Sequence, residues 1–418
     1  MSIDGYFLRD DYSAIMDAKR RDLLRLLAAA QATAIELQQD LESDPSFRNQ
    51  AVQASRKLTQ TLQTPVDRAW ELLFHSTAPS VLIVSINAGW LSLINDSKGS
   101  DRYNQGVTID EIAGSNSSDF ALVQRMMRVL TSEGLIRETQ NHQYAPTPIS
   151  KLFDNIGWAD GLRHSLRDFS IATTSMPEYF EKNRYQQPDK DHGIYEAMYG
   201  TPFFERIKQD EKVGKQFANF MEAMRIGEKP WYEIYPVADK MHVESASDVL
   251  LVDIGGSKGH DLLAFAQFRK ELGGLPGKLV LQDQPSVISH VPSSTHDIEI
   301  QAYDFFEPQP VIGARVYFLK HVLHDWVDKD CVSILSLVRD AMKVGYSKLL
   351  INEGMVPDRE CSPRVAGFDI LMMALVGGTE RTTSEWKALI AAVDGLEVEA
   401  IWTFGHNNDG VIEVIRKA

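Results

Sequence analysis

The sequence is poor in cysteine, and the two cysteines it has form no recognisable pattern. Cys331 and Cys361 stand alone among 418 residues. Their spacing matches no metal-ligand motif, and two thiols cannot build the disulfide framework of a small secreted domain. We therefore expect a cytoplasmic protein that holds no metal ion.

Positive charge is also scarce. Lysine and arginine together number 43, against 58 aspartates and glutamates, which gives a formal net charge of −15. Nucleic acids and anionic membranes attract basic surfaces. The charge balance therefore argues against nucleic acid and against a membrane as the main partner.

Long apolar runs are missing as well. The most apolar early stretch, residues 81–94, is interrupted by Ser85, Asn87 and Ser92 and is shorter than the roughly 20 residues that a membrane span needs. The N-terminus is acidic and lacks a signal-peptide pattern. The composition, 44% hydrophobic and 24% charged, is typical of a globular enzyme, and the length predicts more than one domain.

Apolar periodicity predicts that the N-terminal part is helical. One helix is expected over residues 13–42, with Ser13 as its N-cap, and a second over residues 50–63. A third begins at Pro65, where Thr64 stands in the capping position and proline in the first turn.

Residues 107–154 follow with the helix–helix–hairpin order of a winged helix. Winged helices often place the helix after the turn in the major groove of DNA. Here that helix offers only Arg125 and Arg128, within an acidic chain. We therefore favour a packing or dimerisation role for this module.

Residues 160–240 are predicted to be mostly helical and are rich in aromatic side chains. Aromatic residues at such spacing belong to a core or line an apolar pocket between domains. The adjacent residues Met372 and Met373 suit an irregular apolar pocket in the same way. The predicted organisation is a helical and winged-helix dimerisation domain, a helical substrate-pocket segment and a cofactor domain, over residues 1–160, 161–240 and 241–418.

From residue 247 onward, short apolar runs alternate with helical patterns. Such runs are typical of strands that are buried on both faces of a parallel sheet. The predicted parallel strands cover residues 249–252 and 279–281, then a third element that carries residues 303–306, and then residues 316–319 and 349–351. A hairpin with an Asp409-Gly410 turn follows, so the predicted fold is α/β. It is a doubly wound, Rossmann-like domain with a mostly parallel sheet and an antiparallel C-terminal hairpin, preceded by an α-helical domain that contains a winged helix.

A glycine-rich loop follows the first predicted strand and precedes a helical pattern. Glycines let the chain turn tightly and let a ligand approach the backbone, and the helix N-terminus below favours an anionic group. The spacing Gly-Gly-x-x-Gly departs from the dinucleotide fingerprint, which argues against an NAD-dependent dehydrogenase. The candidate ligand-binding residues in this loop are Asp253, Gly255, Gly256, Ser257 and Gly259.

Acidic groups stand where the next two strands end. Asp283 can accept hydrogen bonds from ribose hydroxyls, and Gln284 follows it. Asp304 and Phe305 form an acid–aromatic pair that could bind an adenine amine and stack on its ring. Together with the glycine loop, these residues favour an adenosine-containing ligand.

The fourth strand runs into a histidine that could serve as a general base. His324 has a side chain whose ordinary pKa lies near neutrality. Glu353 and Glu380 follow later in the sequence, and a carboxylate beside an imidazole can fix its tautomer and stabilise its charged form. Sequence alone does not show whether these three groups converge.

These motifs resemble those of the plant-type small-molecule O-methyltransferases, the caffeate and flavonoid class, and their fungal secondary-metabolite relatives. The resemblance covers residues 248–417, and the winged-helix region resembles the dimerisation domain of that family, whereas residues 1–75 match poorly. The most specific match pairs the Lys320-x-x-x-His324-Asp325-Trp326 segment with the later Gly377-Gly378-x-Glu380-Arg381-Thr382 segment. Ser257 and Lys258 depart from the pattern, since they stand where the family has glycine and threonine.

The resemblance implies a homodimer that binds S-adenosylmethionine through residues that include Gly255, Asp283, Asp304, Phe305 and Lys320. It implies that His324 is the catalytic base, flanked by Glu353 and Glu380. Asp325 is expected to orient the loop or His324, and His321 is interpreted as structural. The predicted reaction is a metal-independent methyl transfer to a phenolic or enolic hydroxyl of an aromatic secondary metabolite.

Two alternatives remain open at this stage. A protein of this fold could bind S-adenosylmethionine and catalyse a pericyclic reaction, cyclisation or dehydration without methyl transfer, with Lys320 or Lys258 polarising the substrate. The chain could instead be a winged-helix DNA-binding protein. The presence of His324, Glu353 and Glu380 favours methyl transfer.

Overall fold

The computed structural model describes residues 4–37, 45–96, 105–188, 192–225, 229–289, 291, 298–403 and 409–418. The chain divides into two compact units, Met1–Trp70 and Glu71–Ala418. The N-terminal helices are α1 (Asp4–Glu36), α2 (Pro45–Leu62) and α3 (Pro65–Phe74), the last of which crosses the boundary.

Helix α3 begins as the sequence predicts. The Asp67 N–H donates to Thr64 Oγ1 at 3.2 Å, and the Thr64 N–H donates to Asp67 Oδ2 at 3.1 Å. The predicted start of α1 is wrong, because Ser13 lies inside the helix, which already begins at Asp4. No proline or glycine in residues 6–12 interrupts the helical pattern there. The predicted end near residue 42 lies outside the described residues.

The second unit begins with the predicted winged-helix order. Its helices and strands are α4 (Thr77–Asn87), α5 (Trp90–Asn95), β1 (Val107–Thr108), α6 (Ile109–Gly114), α7 (Phe120–Ser132), β2 (Arg137–Gln140) and β3 (Gln143–Ala145). Strands β1, β3 and β2 form a small antiparallel sheet. Ile112, Val123, Met127 and Leu130 are fully buried together, which accounts for the apolar face of α7. The first wing strand begins at Arg137.

Residues 148–240 are mostly helical, as predicted. The α-helices are α8 (Pro148–Leu152), α9 (Ile156–His164), α10 (Ser170–Thr174), α11 (Met176–Lys182), α12 (Ile194–Tyr199), α13 (Phe203–Gln209), α14 (Glu211–Ala223), α15 (Trp231–Ile234) and α16 (Val237–Lys240). A π-helical turn, Ser165–Phe169, joins α9 to α10. Tyr195 and Phe203 are buried in an apolar cluster with Ala374 and Leu375 from a later helix, so part of the aromatic content is core.

The main sheet has seven strands in the order β6-β5-β4-β7-β8-β10-β9. They are β4 (Val249–Ile254), β5 (Lys278–Asp283), β6 (Ile298–Ala302), β7 (Val316–Lys320), β8 (Lys348–Gly354), β9 (Leu396–Thr403) and β10 (Asp409–Arg416). The flanking helices are α17 (His260–Glu271), α18 (Pro285–Ile288), α19 (Asp328–Ala341), α20 (Pro363–Val376) and α21 (Thr383–Ala391), with a 3₁₀ turn at Leu323–Asp325.

Five strands of this sheet, β4 to β8, are parallel, and the last two are antiparallel. The inner parallel strands are buried on both faces, which explains their continuous apolar runs. The chain reverses its direction of winding at β4, between β5 and β7. Ligands of doubly wound sheets bind at the carboxyl ends of the strands beside such a switch point.

The C-terminal hairpin pairs as predicted, but the Asp-Gly pair is not its turn. Asp409 and Gly410 belong to β10, where Gly410 pairs with Thr403 of β9 and with Glu353 of β8. The pair therefore forms the start of a strand rather than a tight turn, and residues 404–408 lie between the two strands.

Helices α3 and α4 together, Pro65–Asn87, are long and apolar enough to cross a membrane by length and composition alone, and 17% of the most apolar window is buried. The sequence analysis considered only residues 81–94 as a possible membrane span and did not consider this longer stretch. A single helix of this kind is weak evidence, because helices of soluble proteins pass the same test.

Candidate active site

The glycine loop joins β4 to α17 and is tightly packed against its neighbours. Gly255 has φ of +74°, and a Cβ there would come within 2.9 Å of Val322 Cγ2. A Cβ on Gly256 would lie 2.4 Å from Asp253 Oδ2, and Gly259 caps α17 with φ of +76°. These positions therefore require glycine, because of the left-handed backbone and the close approach of neighbouring side chains.

Asp283 closes one side of this loop. Its Oδ2 accepts a hydrogen bond from the Ser257 N–H at 2.8 Å, and its Oδ1 accepts one from the Gln284 N–H at 2.7 Å. Ser257 has φ of +54°, a conformation that glycine adopts more easily. Asp283 therefore lies at the loop, and the backbone N–H of Gln284 contacts the same carboxylate.

Phe305 packs on the opposite side of the loop. The Phe305 ring lies 4.0 Å from the Cβ position of Gly255, and it meets the Trp326 ring edge-on at 5.7 Å. The preceding Asp304 accepts a hydrogen bond from the Phe306 N–H through Oδ1 at 3.0 Å. The acid–aromatic pair therefore lies beside the glycine loop, as expected for an adenosine-binding wall.

Lys320 lies at the end of β7, next to β4, but it is paired with an acid that the sequence analysis did not single out. Its Nζ is 2.6 Å from Oδ1 of Asp261, and Arg225 Nη2 is 3.1 Å from Asp261 Oδ2. Asp253 is fully buried close by. Burial and the charge of Asp261 raise the pKa of Asp253 to about 7.

His324 stands on the 3₁₀ turn after β7, and Glu353 holds the backbone of that turn. Glu353 Oε1 accepts hydrogen bonds from the N–H groups of Val322 and Leu323, at 2.9 and 2.8 Å. Its Oε2 is buried without a hydrogen bond and lies 3.4 Å from His324 Nδ1. Glu353 therefore fixes the position of the turn and adds negative charge beside the imidazole.

Glu380 binds the imidazole directly. Its Oε1 lies 2.8 Å from His324 Nδ1, and its backbone N–H donates to Asp369 Oδ1 at 3.0 Å. This contact orients the ring so that Nε2 is the nitrogen left for a substrate. Asp325 Oδ1 is 3.5 Å from His324 Nε2, so the third candidate acid also joins the cluster.

The electrostatics of this cluster favour a charged imidazole. Burial acts to lower the pKa of His324, but the negative charges of Glu353 and Asp325 and the hydrogen bond of Glu380 outweigh it and raise this pKa to about 10. Burial raises the pKa of both Asp325 and Glu353, and the positive charge of His324 opposes it. The carboxylates around His324 therefore favour its protonated form.

Arg381 and Gly378 contact the backbone of the turn that carries His324, and the sequence analysis did not assign them this role. The Arg381 guanidinium donates to the carbonyl oxygens of Leu323 and Trp326, at 3.0 and 2.8 Å, and Nε donates to Asp328. A Cβ on Gly378 would lie 2.2 Å from the His324 carbonyl oxygen. Both residues hold the turn that carries His324, and only the specific Gly-Gly-x-Glu-Arg-Thr motif could have indicated this.

His321 lies closer to the candidate base than its structural interpretation implies. Its ring is nearly parallel to that of His324, with centroids 5.6 Å apart. Its Nε2 is 3.2 Å from Asp409 Oδ2, and its φ is +50°.

Within the described ranges, no group of three or more histidine, cysteine or acidic residues is arranged to hold a metal ion.

The arrangement places a glycine loop with nearby acidic and aromatic side chains close to a buried histidine–carboxylate cluster. The glycine loop, the Asp283 carboxylate and the Phe305 ring fit an adenosine group, and the mixed charges around Asp261 fit a zwitterion. The donor set therefore fits S-adenosylmethionine, which the resemblance implied. His324 Nε2 is available to exchange a proton with a second ligand.

Family models match most of the chain. A model described as an O-methyltransferase domain matches residues 180–395, and one described as an O-methyltransferase dimerisation domain matches residues 70–154. Among similar fungal proteins, the methyltransferase cfoC of Aspergillus candidus is 32% identical over 90% of this chain and 93% of its own length. The O-methyltransferase asqD of Emericella nidulans is 35% identical over 74% of this chain and 81% of its own length.

Solved structures share the fold. LepI in complex with S-adenosylmethionine has a TM-score of 0.79 at 24% identity and covers 94% of this chain and 100% of its own. A protein described as a pericyclic reaction enzyme has a TM-score of 0.79 at 23% identity, with the same coverage. At these identities the likeness shows the fold alone.

Proposed function

The chain belongs to the S-adenosylmethionine-dependent O-methyltransferase family, since the family model covers half of it, and from this premise we propose that His324 is the general base that activates an aromatic acceptor. The protein is thus an O-methyltransferase of fungal secondary metabolism. The proposed acceptor is a phenolic or enolic hydroxyl of a small aromatic metabolite, and the proposed catalytic group is His324 with Glu353, Glu380 and Asp325.

The observation that carries the proposal is the contact of 2.8 Å between His324 Nδ1 and Glu380 Oε1. A carboxylate on Nδ1 fixes the tautomer in which Nε2 has a free lone pair. His324 Nε2 then accepts the proton of the acceptor hydroxyl, and Glu380 and Glu353 stabilise the resulting imidazolium. General-base help of this kind is worth roughly 10²–10⁴ in rate.

The chain's own residues also support the role of the cofactor. S-adenosylmethionine supplies an electrophilic methyl group on a positively charged sulfur. Asp283, Asp304 and Phe305 are proposed to hold its adenosine end, together with the backbone of Gly255, Gly256 and Gly259. The residues Asp253, Ser257, Gln284 and Lys320 are proposed to support this site.

The raised pKa of His324 sets a condition on this mechanism. Since the surrounding carboxylates favour the protonated form of His324, it must lose that proton before it can act as a base. A second positive charge nearby disfavours the imidazolium. Binding of the cationic cofactor is therefore expected to release a proton and leave the imidazole neutral.

The acceptor is proposed to bind against the apolar side of the site. Phe368 on α20 faces the His324 ring, with centroids 6.5 Å apart, and Met372 lies one turn further along the same helix. Apolar side chains beside a base suit a flat aromatic ligand whose hydroxyl reaches the imidazole. A phenol or enol is acidic enough for a positioned imidazole to deprotonate without a metal ion.

The test is incubation of the purified chain with S-adenosylmethionine and a panel of phenolic and enolic acceptors, followed by product mass and S-adenosylhomocysteine. The expected result is a product heavier by one methylene with stoichiometric S-adenosylhomocysteine. His324→Ala is expected to reduce turnover by roughly 10²–10⁴ while the cofactor still binds. His242→Ala, which removes an exposed histidine outside the site, is the matched control.

Two outcomes would contradict the proposal. Near-normal turnover in His324→Ala would remove His324 from the mechanism. Conversion of an acceptor to an isomer or a dehydrated product, with no S-adenosylhomocysteine formed, would move the assignment to a cofactor-assisted pericyclic or dehydration reaction.

We propose further that the enzyme is a homodimer. The match of residues 70–154 to the dimerisation domain supports this state. Helix α3 supports it as well, because its side chains Leu72, Leu73 and Phe74 are 67%, 69% and 61% exposed.

The cytoplasmic location and the three-domain division of the sequence analysis stay predictions.

A further inference from the structure

Asp261 and Arg225 form a charged cluster at the mouth of the glycine loop, together with Lys320. Asp261 is the second residue of α17, and its two carboxylate oxygens contact different cations. Lys320 Nζ lies 2.6 Å from Oδ1, and Arg225 Nη2 lies 3.1 Å from Oδ2. The three groups come from α17, from the end of β7 and from the residues that follow α14.

The cluster differs from a solvated surface ion pair. The Asp261 and Lys320 side chains are only 19% and 18% exposed, whereas the Arg225 side chain is 45% exposed. Asp253, which is 2% exposed and precedes the last residue of β4, interacts electrostatically with all three groups. Two cations thus face a carboxylate at the carboxyl ends of β4 and β7, where the sheet reverses its winding.

The charges match the methionine end of the cofactor. That end is a zwitterion with one carboxylate and one ammonium group, and a guanidinium fork binds a carboxylate through two parallel hydrogen bonds. We propose that Arg225 binds the cofactor carboxylate, that Asp261 binds the cofactor ammonium, and that Lys320 holds Asp261 in place. This inference rests on the use of S-adenosylmethionine in the proposed function.

Arg225, rather than Lys320, is assigned to the carboxylate for two reasons. Lys320 makes the shorter contact with Asp261 and is the less exposed cation, so it is committed to that acid. Arg225 makes the longer contact and keeps nearly half of its side chain in solvent. When Asp261 turns to the cofactor ammonium, Arg225 receives the cofactor carboxylate, so the pair between Arg225 and Asp261 is replaced by one pair for each of them.

Truncated cofactors test the assignment without an acceptor or turnover. Isothermal titration calorimetry would measure the affinity of S-adenosylmethionine, of decarboxylated S-adenosylmethionine, which keeps the ammonium, and of 5′-methylthioadenosine, which lacks both groups. Arg225→Gln is expected to weaken S-adenosylmethionine binding by roughly 10- to 100-fold, the value of a charge-assisted hydrogen bond, and to leave both truncated ligands within about 2-fold. Asp261→Asn is expected to weaken both ligands that carry an ammonium group.

Matched controls remove a charge from the same helices. Lys215→Gln on α14 and Glu271→Gln at the far end of α17 are expected to change none of the three affinities. The assignment is overturned if Arg225→Gln leaves S-adenosylmethionine binding unchanged, or if it weakens all three ligands equally. Failure of the unaltered chain to bind S-adenosylmethionine at all would instead contradict the proposed function.

Discussion

Under the proposed mechanism, the charge on His324 determines how the activity of this enzyme depends on pH. Three carboxylates surround an imidazole that must be neutral to accept a proton, and they raise its pKa to about 10. Glu380 makes the closest of these contacts. The same groups that orient the base therefore also make it harder to deprotonate, and this conflict has a measurable consequence.

We predict that kcat/KM rises with pH and that Glu380→Gln moves the rising limb to lower pH. The parameter kcat/KM for S-adenosylmethionine reports ionisations of the enzyme before the cofactor binds. In that enzyme His324 is protonated, and therefore inactive as a base, below its raised pKa. Loss of one carboxylate lowers the pKa of His324, while the maximum rate falls because the tautomer is no longer fixed. A pH series of initial rates measures both effects.

The matched control for this series is Glu222→Gln, which removes an exposed carboxylate from α14 and should leave the profile in place. An activity that falls as pH rises in the unaltered enzyme would show that charged His324 is the active form. That result would favour an acid or electrostatic role for the imidazole.

At the residue level, the sequence predicted strand-end groups better than it predicted their partners. Asp283, Phe305 and Lys320 could be placed near the loop because parallel strands end at one edge of the sheet. The pairing of Lys320 with Asp261 could not be predicted, because it depends on the direction of two side chains from elements 59 residues apart. The contacts of Arg381 with the turn that carries His324 could not be predicted either, because they also depend on the direction of a side chain from a distant element.

Among the elements, the π-helical turn Ser165–Phe169 carries a buried polar network. Asp168 is fully buried and accepts hydrogen bonds from Tyr195, Arg206 and Arg167, and its Oδ2 lies 2.7 Å from His164 Nδ1. One carboxylate thereby joins this turn to α9, α12 and α13. The turn also packs against α20, which carries Phe368 beside the base.

We predict that Asp168→Asn destabilises the fold by about 2–4 kcal/mol. The change leaves Arg167 and Arg206 without a counter-charge, and the cost lies toward the lower end for a broken buried pair because both guanidinium groups keep some solvent. Burial acts to raise the pKa of Asp168, but the His164 and Arg167 contacts outweigh it and lower this pKa to about 2.

The sign of the pH dependence follows from that lowered pKa. The Asp168 contribution is present above its ordinary value of 3.8 and is lost as pH falls toward 2. Urea unfolding midpoints of the two proteins should therefore differ at pH 7 and converge in acid. Asp239→Asn, on the exposed side of α16, is the control. A difference that persists unchanged at low pH would contradict this explanation.

Sequence patterns found most elements but misjudged some boundaries. The buried strands and the winged-helix order were predictable because period and apolar runs are local signals. The prediction of a turn at Asp409-Gly410 was wrong, although this residue pair is common in tight turns. Here it lies in β10, where hydrogen bonding to strands on both sides outweighs the preference of the two residues for a turn. The π-helical turn has no signal of its own, since its stability depends on partners from other helices.

For the whole molecule, the proposed homodimer makes a testable prediction about α3. Leu73→Glu places a charge on a side chain that is 69% exposed within the region that matches the dimerisation domain. A buried charge without a partner is costly, so we expect a shift from dimer to monomer in analytical ultracentrifugation. Ile312→Glu, at a residue that is 73% exposed outside that region, should leave the dimer intact. An unchanged dimer in Leu73→Glu would exclude this part of α3 from the interface.

The position of β10 has a consequence for how the enzyme is made. Although β10 follows the other described strands in the sequence, it lies between β8 and β9 and places Asp409 beside His321. On the ribosome, β8 and β9 emerge before the strand that separates them, so each has an unpaired edge until β10 is made, and unpaired edges are prone to aggregation. A messenger RNA cut short within the codons for β10 would therefore yield a chain that contains the glycine loop and His324 but has an open sheet.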